Sequence, residues 1–85
     1  MKITEKKVRD SVSTEYKFDN GAWVCVYIEY EGGAWEYQSD ENNEETYLEG
    51  GLWFDDNELV DYDGCVELPE EVKLALKDRG CIVEI

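Results

Sequence analysis

Residues 12–30 read VSTEYKFDNGAWVCVYIEY, and the way this stretch doubles back on itself decides the fold. Val12, Thr14, Tyr16 and Phe18 alternate with Ser13, Glu15 and Lys17, the period of a half-buried strand. Asp19-Asn20-Gly21 then interrupts the alternation with a hairpin signal, whose loop length sets which side chains share a face. A two-residue turn at Asn20-Gly21 would pair Phe18 with Trp23 and lay Val24, Val26 and Ile28 beside Lys17 and Glu15. A three-residue loop with Gly21 left-handed pairs Phe18 with Ala22 instead. Val12, Tyr16 and Phe18 then join Ala22, Val24, Val26, Ile28 and Tyr30 on one apolar face. A one-residue slip moves every side chain to the other face, so the register that buries this set is the expected one. It leaves Trp23, Cys25, Tyr27 and Glu29 on the opposite face.

Residues 22–30 are apolar at nearly every position, as in a central strand. Gly32-Gly33 signals a second tight hairpin, placing Trp35 opposite Tyr30 and Tyr37 opposite Ile28 with Glu36 and Gln38 outward. Residues 40–45 are wholly polar and read as a solvated loop. Strand pattern returns over 46–54, with Leu48, Leu52 and Phe54 in phase and Gly50-Gly51 marking a bulge or a close backbone approach. Asp55-Asp56-Asn57 turns the chain into a short strand over 58–62. Upstream, residues 1–10 are mixed-charge and weakly patterned, giving either a short helical turn or a loose arm.

The period changes after residue 68. Pro69 at the first helical position, Glu70 and Glu71 in the first turn, Lys73, Lys77 and Arg79 later and Gly80 just beyond are mutually consistent helix start and stop signals. Leu68, Val72, Ala75 and Leu76 form its apolar stripe. Alternation over 81–85 suggests a last strand. The expected fold is α+β: one acidic domain, residues 1–85, with an antiparallel meander of about five strands, a C-terminal helix packed on one face and a short final strand.

Charge is distributed unevenly along this frame. The net charge is −14, and residues 18–72 hold seventeen carboxylates with no Lys, Arg or His. All eight bases lie outside that stretch. Ordinary surfaces interleave the two signs. Strong acidity with low hydrophobicity often marks disorder, but three Trp, six Tyr and two Phe favour a packed core. So acidic a domain is not expected to bind nucleic acid or anionic membrane directly, because both would repel it. No apolar run long enough to span a bilayer or to follow the basic residues 1–9 as a signal peptide is present, so a cytoplasmic protein is expected.

Catalysis is not expected. With no histidine, Ser-His and Cys-His nucleophiles are excluded, and seventeen acids in one stretch produce close pairs by chance without marking a glycosidase-like site. Asp61, Asp63, Gly64 and Glu70 occupy later positions of a calcium-loop pattern, but Leu59 at its first position cannot ligate, so no metal site is expected. The paired glycines match no phosphate-binding loop. Cys25, Cys65 and Cys81 lack CxxC spacing and read as reduced thiols, so no cofactor is expected.

What remains is the one-sign surface. Carboxylates on a rigid sheet recur every second residue, about 6.6–6.8 Å along one face, and can offer a fixed array of negative charge to a Lys/Arg channel that normally holds nucleic acid. The leading expectation is a nucleic-acid-mimicking inhibitor, phage- or plasmid-encoded and acting in a bacterial host, whose partner is a basic nucleic-acid-binding protein or nuclease. In small size and acidity the chain resembles, in general character, the inhibitors that block CRISPR effectors or restriction enzymes. The expected contact residues are Glu29, Glu31, Glu36, Asp40, Glu41, Glu44 and Glu45, with Asp55, Asp56 and Glu58 on a neighbouring edge and Trp23 and Tyr27 as aromatic anchors. The alternatives are an immunity protein that neutralises a basic nuclease toxin, with Trp23, Tyr27 and Trp35 as its anchors, and a non-inhibitory acidic module, either monomeric or dimeric through the outer sheet face.

Overall fold

The protein's structure, a computed structural model, describes residues 1–85. Six strands form one antiparallel sheet in the order of the chain: β1 (Ile3–Val8), β2 (Ser13–Phe18), β3 (Trp23–Glu29), β4 (Gly32–Gln38), β5 (Tyr47–Asp55) and β6 (Glu58–Tyr62). A single helix, α1 (Glu70–Asp78), follows and packs on one face of the sheet, with a 3-10 turn at Glu44–Thr46 between β4 and β5. The α+β meander is as expected, with one strand more.

The first hairpin has the expected register. Tyr16 faces Val24, and Lys17 faces Trp23. The Phe18 amide donates to the Ala22 carbonyl at 3.0 Å, and Gly21 sits at φ 87, the left-handed position the three-residue loop requires. Tyr16, Phe18, Val24 and Val26 accordingly point inward, where Trp35, Leu52, Phe54 and Leu59 meet Leu68, Val72, Ala75 and Leu76 of the helical segment. Each large aliphatic side chain buried there stabilises by about 1.5–3 kcal/mol.

Three expectations are corrected. Residues 3–8 form a strand, neither a helical turn nor a loose arm. Its alternation is written in charge: Lys6 lies over the Tyr16 ring, 6.0 Å from its centroid, and pairs with Asp78 at 2.7 Å, while Lys7 faces Glu15 across β1 and β2. Hydrophobic periodicity does not register such a strand. The second hairpin turns at Tyr30-Glu31 with Tyr30 at φ 56, and Gly32 and Gly33 lie inside β4. Trp35 therefore faces Val26, and Tyr37 faces Val24. Gly33 serves close approach instead of turning, because a Cβ there would lie 2.0 Å from the Tyr27 carbonyl oxygen. The displacement along β3 is an even number of residues, so both aromatics keep the core face that was expected of them. Finally, the last segment contributes one parallel bridge, Glu58 with Ile82, in place of a full strand.

Gly50 and Gly51 also serve close approach. Residues 63–64 cross over them: the Trp35 indole donates to the Asp63 carbonyl at 3.1 Å, and the Gly51 amide to Asp63 Oδ1 at 2.6 Å. A Cβ on Gly50 would stand 2.0 Å from the Asp63 carbonyl oxygen, and one on Gly64 would stand 2.1 Å from that of Glu49. The irregularity in β5 falls later, between Trp53 and Phe54, with Val60 as the unpaired residue of β6.

Pro69 caps α1 from one position earlier than expected, and the helix ends in a Schellman turn, with Cys81 donating to the Leu76 carbonyl at 3.0 Å and Gly80 to Lys77 at 3.0 Å. Side chains at both ends fasten it to the sheet. Glu71 accepts from Asn20 at 3.2 Å and from the Tyr37 hydroxyl at 3.3 Å. At the other end Asp78 accepts from the Tyr16 hydroxyl at 2.8 Å, and Arg79 donates to Thr14 Oγ1 at 3.0 Å and the Val12 carbonyl at 3.2 Å.

Gly50→Ala is expected to destabilise the fold by about 3 kcal/mol through overpacking, and Gly21→Ala, which meets no atom but keeps its left-handed φ, by about 1 kcal/mol; denaturant titration compares the two. Asp78 gives a pH test. Lys6 first and then Tyr16 hold its carboxyl below the usual range, so its stabilisation is complete above about pH 4 and is lost as the pH falls through the lower folded value. Asp78→Asn should lose about 1 kcal/mol at neutral pH, after allowance for solvent screening, and should match wild type near pH 2.

Candidate functional site

A meander carries sequence order into space, so the uneven charge of the chain becomes an uneven molecule. The bases sit on or next to β1, β2 and α1, and the ion pairs gather there: Lys6 with Asp78, Arg9 with Glu15, Lys17 with Glu5 and Glu41, and Lys73 with Glu70. Strands β3 to β6 contain no Lys or Arg. Among the ten expected contact carboxylates, Glu41 alone has a cationic partner, Lys17 at 3.5 Å.

These ten do not form one continuous patch. Glu29 ends β3 and Glu31 lies in the β3–β4 turn, while Asp55 and Glu58 flank the β5–β6 turn that contains Asp56, so these five share one end of the sheet. Asp40, Glu41, Glu44 and Glu45 lie at the other end, in the β4–β5 connection. The length of β4, about 20 Å at the rise of an extended strand, separates the groups. Glu36 stands between them on the face turned away from α1, opposite Glu49 of β5. All but Glu36 are exposed.

The β4–β5 connection, expected to be a simple solvated loop, is internally braced. The Gln38 side-chain amide donates to the carbonyls of Asp40, Glu41 and Asn43 at 3.3–3.4 Å. Asn43 caps the 3-10 turn by accepting from the Glu45 amide at 3.0 Å, and Thr46 Oγ1 donates to the Asn43 carbonyl at 2.7 Å. The Glu41 amide donates to Gly21 at 2.9 Å, tying the connection to the first hairpin. Its four carboxylates are therefore offered from a fixed frame. At the other end, Asp56 and Asn57 both adopt positive φ in a tight turn.

Trp23 and Tyr27 occupy the outer face as expected, half-buried, whereas Trp35, expected as a third anchor, is fully buried in the core and cannot meet a partner. The Trp23 indole donates to Glu15 at 3.0 Å, and the Tyr27 hydroxyl donates to Glu36 at 2.8 Å. Burial works to raise the Glu15 carboxyl, but donors from Arg9 and Trp23 outweigh it and hold it below the usual range. Cys25 lies between the two aromatics and is fully buried; burial pushes its thiol up, away from the reactive thiolate. All three cysteines are free.

Sequence reasoning missed three residues of this surface, Tyr47, Glu49 and Trp53, and it placed Tyr30 on the core face, where the turn at Tyr30-Glu31 does not leave it. Tyr30 is 90% exposed at the tip of its turn, while Trp53 is 47% and Tyr47 37% exposed on the outer face. Tyr47 donates to Glu49 at 2.7 Å, and the Trp53 ring covers Gly51. An alternating reading of β5 placed on the β4 register would have put Tyr47, Glu49 and Trp53 on one face. Nothing in the sequence set Tyr30 apart from the core.

Three shallow clefts open on the surface, one of them lined by Gln38, Glu44 and Tyr47. The other two are lined by Glu5, Lys7, Glu15, Tyr16, Lys17 and Trp23, and by Val12, Tyr27, Glu29 and residues 32–34. No three Cys, Asp or Glu side chains converge as metal ligands, and Asp63 of the broken calcium pattern is committed to the Gly51 amide. No helix is long and apolar enough to cross a membrane.

Since the acidic half has almost no internal cations, screening should stabilise the fold. Raising salt from about 10 mM to about 0.5 M is expected to lift the thermal midpoint by about 5 °C, read by circular dichroism. No protein-family model, characterised protein or solved structure matches the chain.

Proposed function

We propose that this protein is a non-catalytic inhibitor that occupies the nucleic-acid channel of a basic protein in place of the nucleic acid. Its setting is the cytoplasm of a bacterial host, where a phage- or plasmid-encoded protein of this kind would block a CRISPR effector or a restriction enzyme. The observation that carries the reading is the exposure of Glu29, Glu31, Asp40, Glu44, Glu45, Asp55, Asp56 and Glu58 at strand ends and in the connections between strands, without any cationic partner. Repulsion among them lowers the stability of the free chain, and a Lys/Arg channel relieves that repulsion on binding. Counterion release from such a channel makes real nucleic acid bind strongly, and a fixed carboxylate array draws on the same attraction.

An immunity protein against a basic nuclease toxin is the second reading. It is favoured by the exposed aromatics of the outer face, Tyr47 and Trp53, beside Trp23 and Tyr27, since tightly bound protein pairs are anchored by Trp and Tyr.

The test begins with capture from a bacterial lysate at about 50 mM salt, elution in a salt gradient and identification of the captured protein by mass, followed by a DNA-binding assay on that protein when purified. The expected result is loss of DNA binding as this chain is added, reversed by excess DNA. A partner that holds DNA and this chain at the same time would overturn inhibition by mimicry.

A further inference from the structure

The sheet has two faces and the molecule covers one of them. On the uncovered face β3, β4 and β5 present Tyr27, Ala34, Glu36, Tyr47, Glu49 and Trp53. Glu36 and Glu49 are direct register partners there, which brings their Cβ atoms to about 5 Å. Like charges in that relation repel, and a sheet face evolved only for solvation would set a Lys or Arg opposite one of them. None is present. The bases that share this face lie beyond β3, on the β1–β2 side: Lys7 faces Glu15, Arg9 pairs with Glu15, and Lys17 pairs with Glu5 and Glu41.

Each carboxylate is oriented by one tyrosine hydroxyl, Tyr27 to Glu36 at 2.8 Å and Tyr47 to Glu49 at 2.7 Å. A carboxylate accepts about four hydrogen bonds, so most of the acceptor capacity stays open towards solvent. On the same face of β5 the Trp53 ring reaches back over Gly51, where a Cβ would be 2.9 Å from its nearest atom, and about half of the residue stays exposed. Two adjacent carboxylates bordered by aromatic rings match the planar fork of a guanidinium, which bonds carboxylates in pairs and stacks on rings; an ammonium does neither as well.

We infer that this uncovered face, centred on Glu36 and Glu49, receives an arginine side chain of the basic protein partner. The inference rests on the proposed inhibition and adds where, and by which side chain, the partner is gripped. A second copy of the chain is disfavoured as occupant by charge: each copy carries −14, and strands β3 to β5 supply no cation to meet the pair.

The probes are an oligo-arginine peptide and an oligo-lysine peptide of equal length, titrated into the isotope-labelled full chain and followed by amide chemical shifts. The largest shifts should fall on Tyr27, Glu36, Glu49 and Trp53, with arginine binding about tenfold tighter than lysine. Glu36→Gln combined with Glu49→Gln should weaken arginine binding about tenfold and abolish the preference over lysine, with the thermal midpoint unchanged or raised. Neutralising Glu41, Glu44 and Glu45 removes more charge and should weaken it less. Equal affinity for the two peptides, or a larger loss from the loop variant than from the sheet variant, would overturn the arginine site. The two readings fail separately. Inhibition that survives the Glu36 and Glu49 substitutions overturns the arginine site and leaves mimicry standing. An arginine preference centred on Glu36 and Glu49, in a chain that displaces nucleic acid from no captured partner, supports the site and overturns mimicry.

Discussion

One short helix has to close the core of a six-stranded sheet. Nine helical residues extend about 13 Å, whereas six strands side by side span about 24 Å. The mismatch is resolved by size and placement. Trp35, Tyr16 and Phe54 supply large side chains to the sheet's side of the core, and Leu68, ahead of the helix, extends its apolar stripe. Glu71, Asp78 and Arg79 then fasten both ends of α1 to polar groups of the sheet. With the apolar material of the chain concentrated on this one face, nothing is left to form a second layer. The bare outer face and its aromatics follow from that limit.

Connectivity does the rest. In a meander, neighbours in sequence become neighbours in space, so a chain that confines its bases to its two ends produces a sheet with mixed charge on β1 and β2 and negative charge beyond. A Greek-key or crossover topology would have interleaved the same residues. Attraction inside the molecule is thus spent on the β1–β2 side, and the opposite side keeps its field for something outside. Bracing within the β4–β5 connection matters for the same reason, because a carboxylate held in place loses little freedom when a partner arrives.

The sequence was most legible where burial forces a choice. Only one register of the Asp19-Asn20-Gly21 hairpin puts Tyr16, Phe18, Val24 and Val26 on a common face, and that register is present. The helix was equally readable, since Pro69, the acidic first turn and Gly80 point to the same boundaries. Where polar or glycine residues set the geometry, pattern gave less. β1 alternates between Lys6, which reaches Asp78, and Lys7, which faces Glu15, so its two faces differ in partner and not in polarity. Gly32-Gly33 resembles a turn and in fact lets β4 lie close to Tyr27. For the candidate surface, the exposure of the carboxylates followed from composition, but their division between two ends did not. That division depends on the length of β4 and on loops whose shape comes from the Gln38 and Asn43 hydrogen bonds. The Glu36–Glu49 pair was hidden because its two members belong to different strands and meet only through pairing.

The bridge at Ile82 has a consequence for self-association. Open sheet borders recruit strands from other molecules and seed aggregates. Here the β6 border is occupied near its start, where Leu59 donates to the Ile82 carbonyl and Ile82 to that of Asn57, each at 2.9 Å. The β1 border, with nothing laid against it, carries Lys2, Lys6 and Lys7, and such lysines discourage strand recruitment. The protein therefore has a guard at each margin, and crowding at high expression should favour dispersed molecules over fibrils.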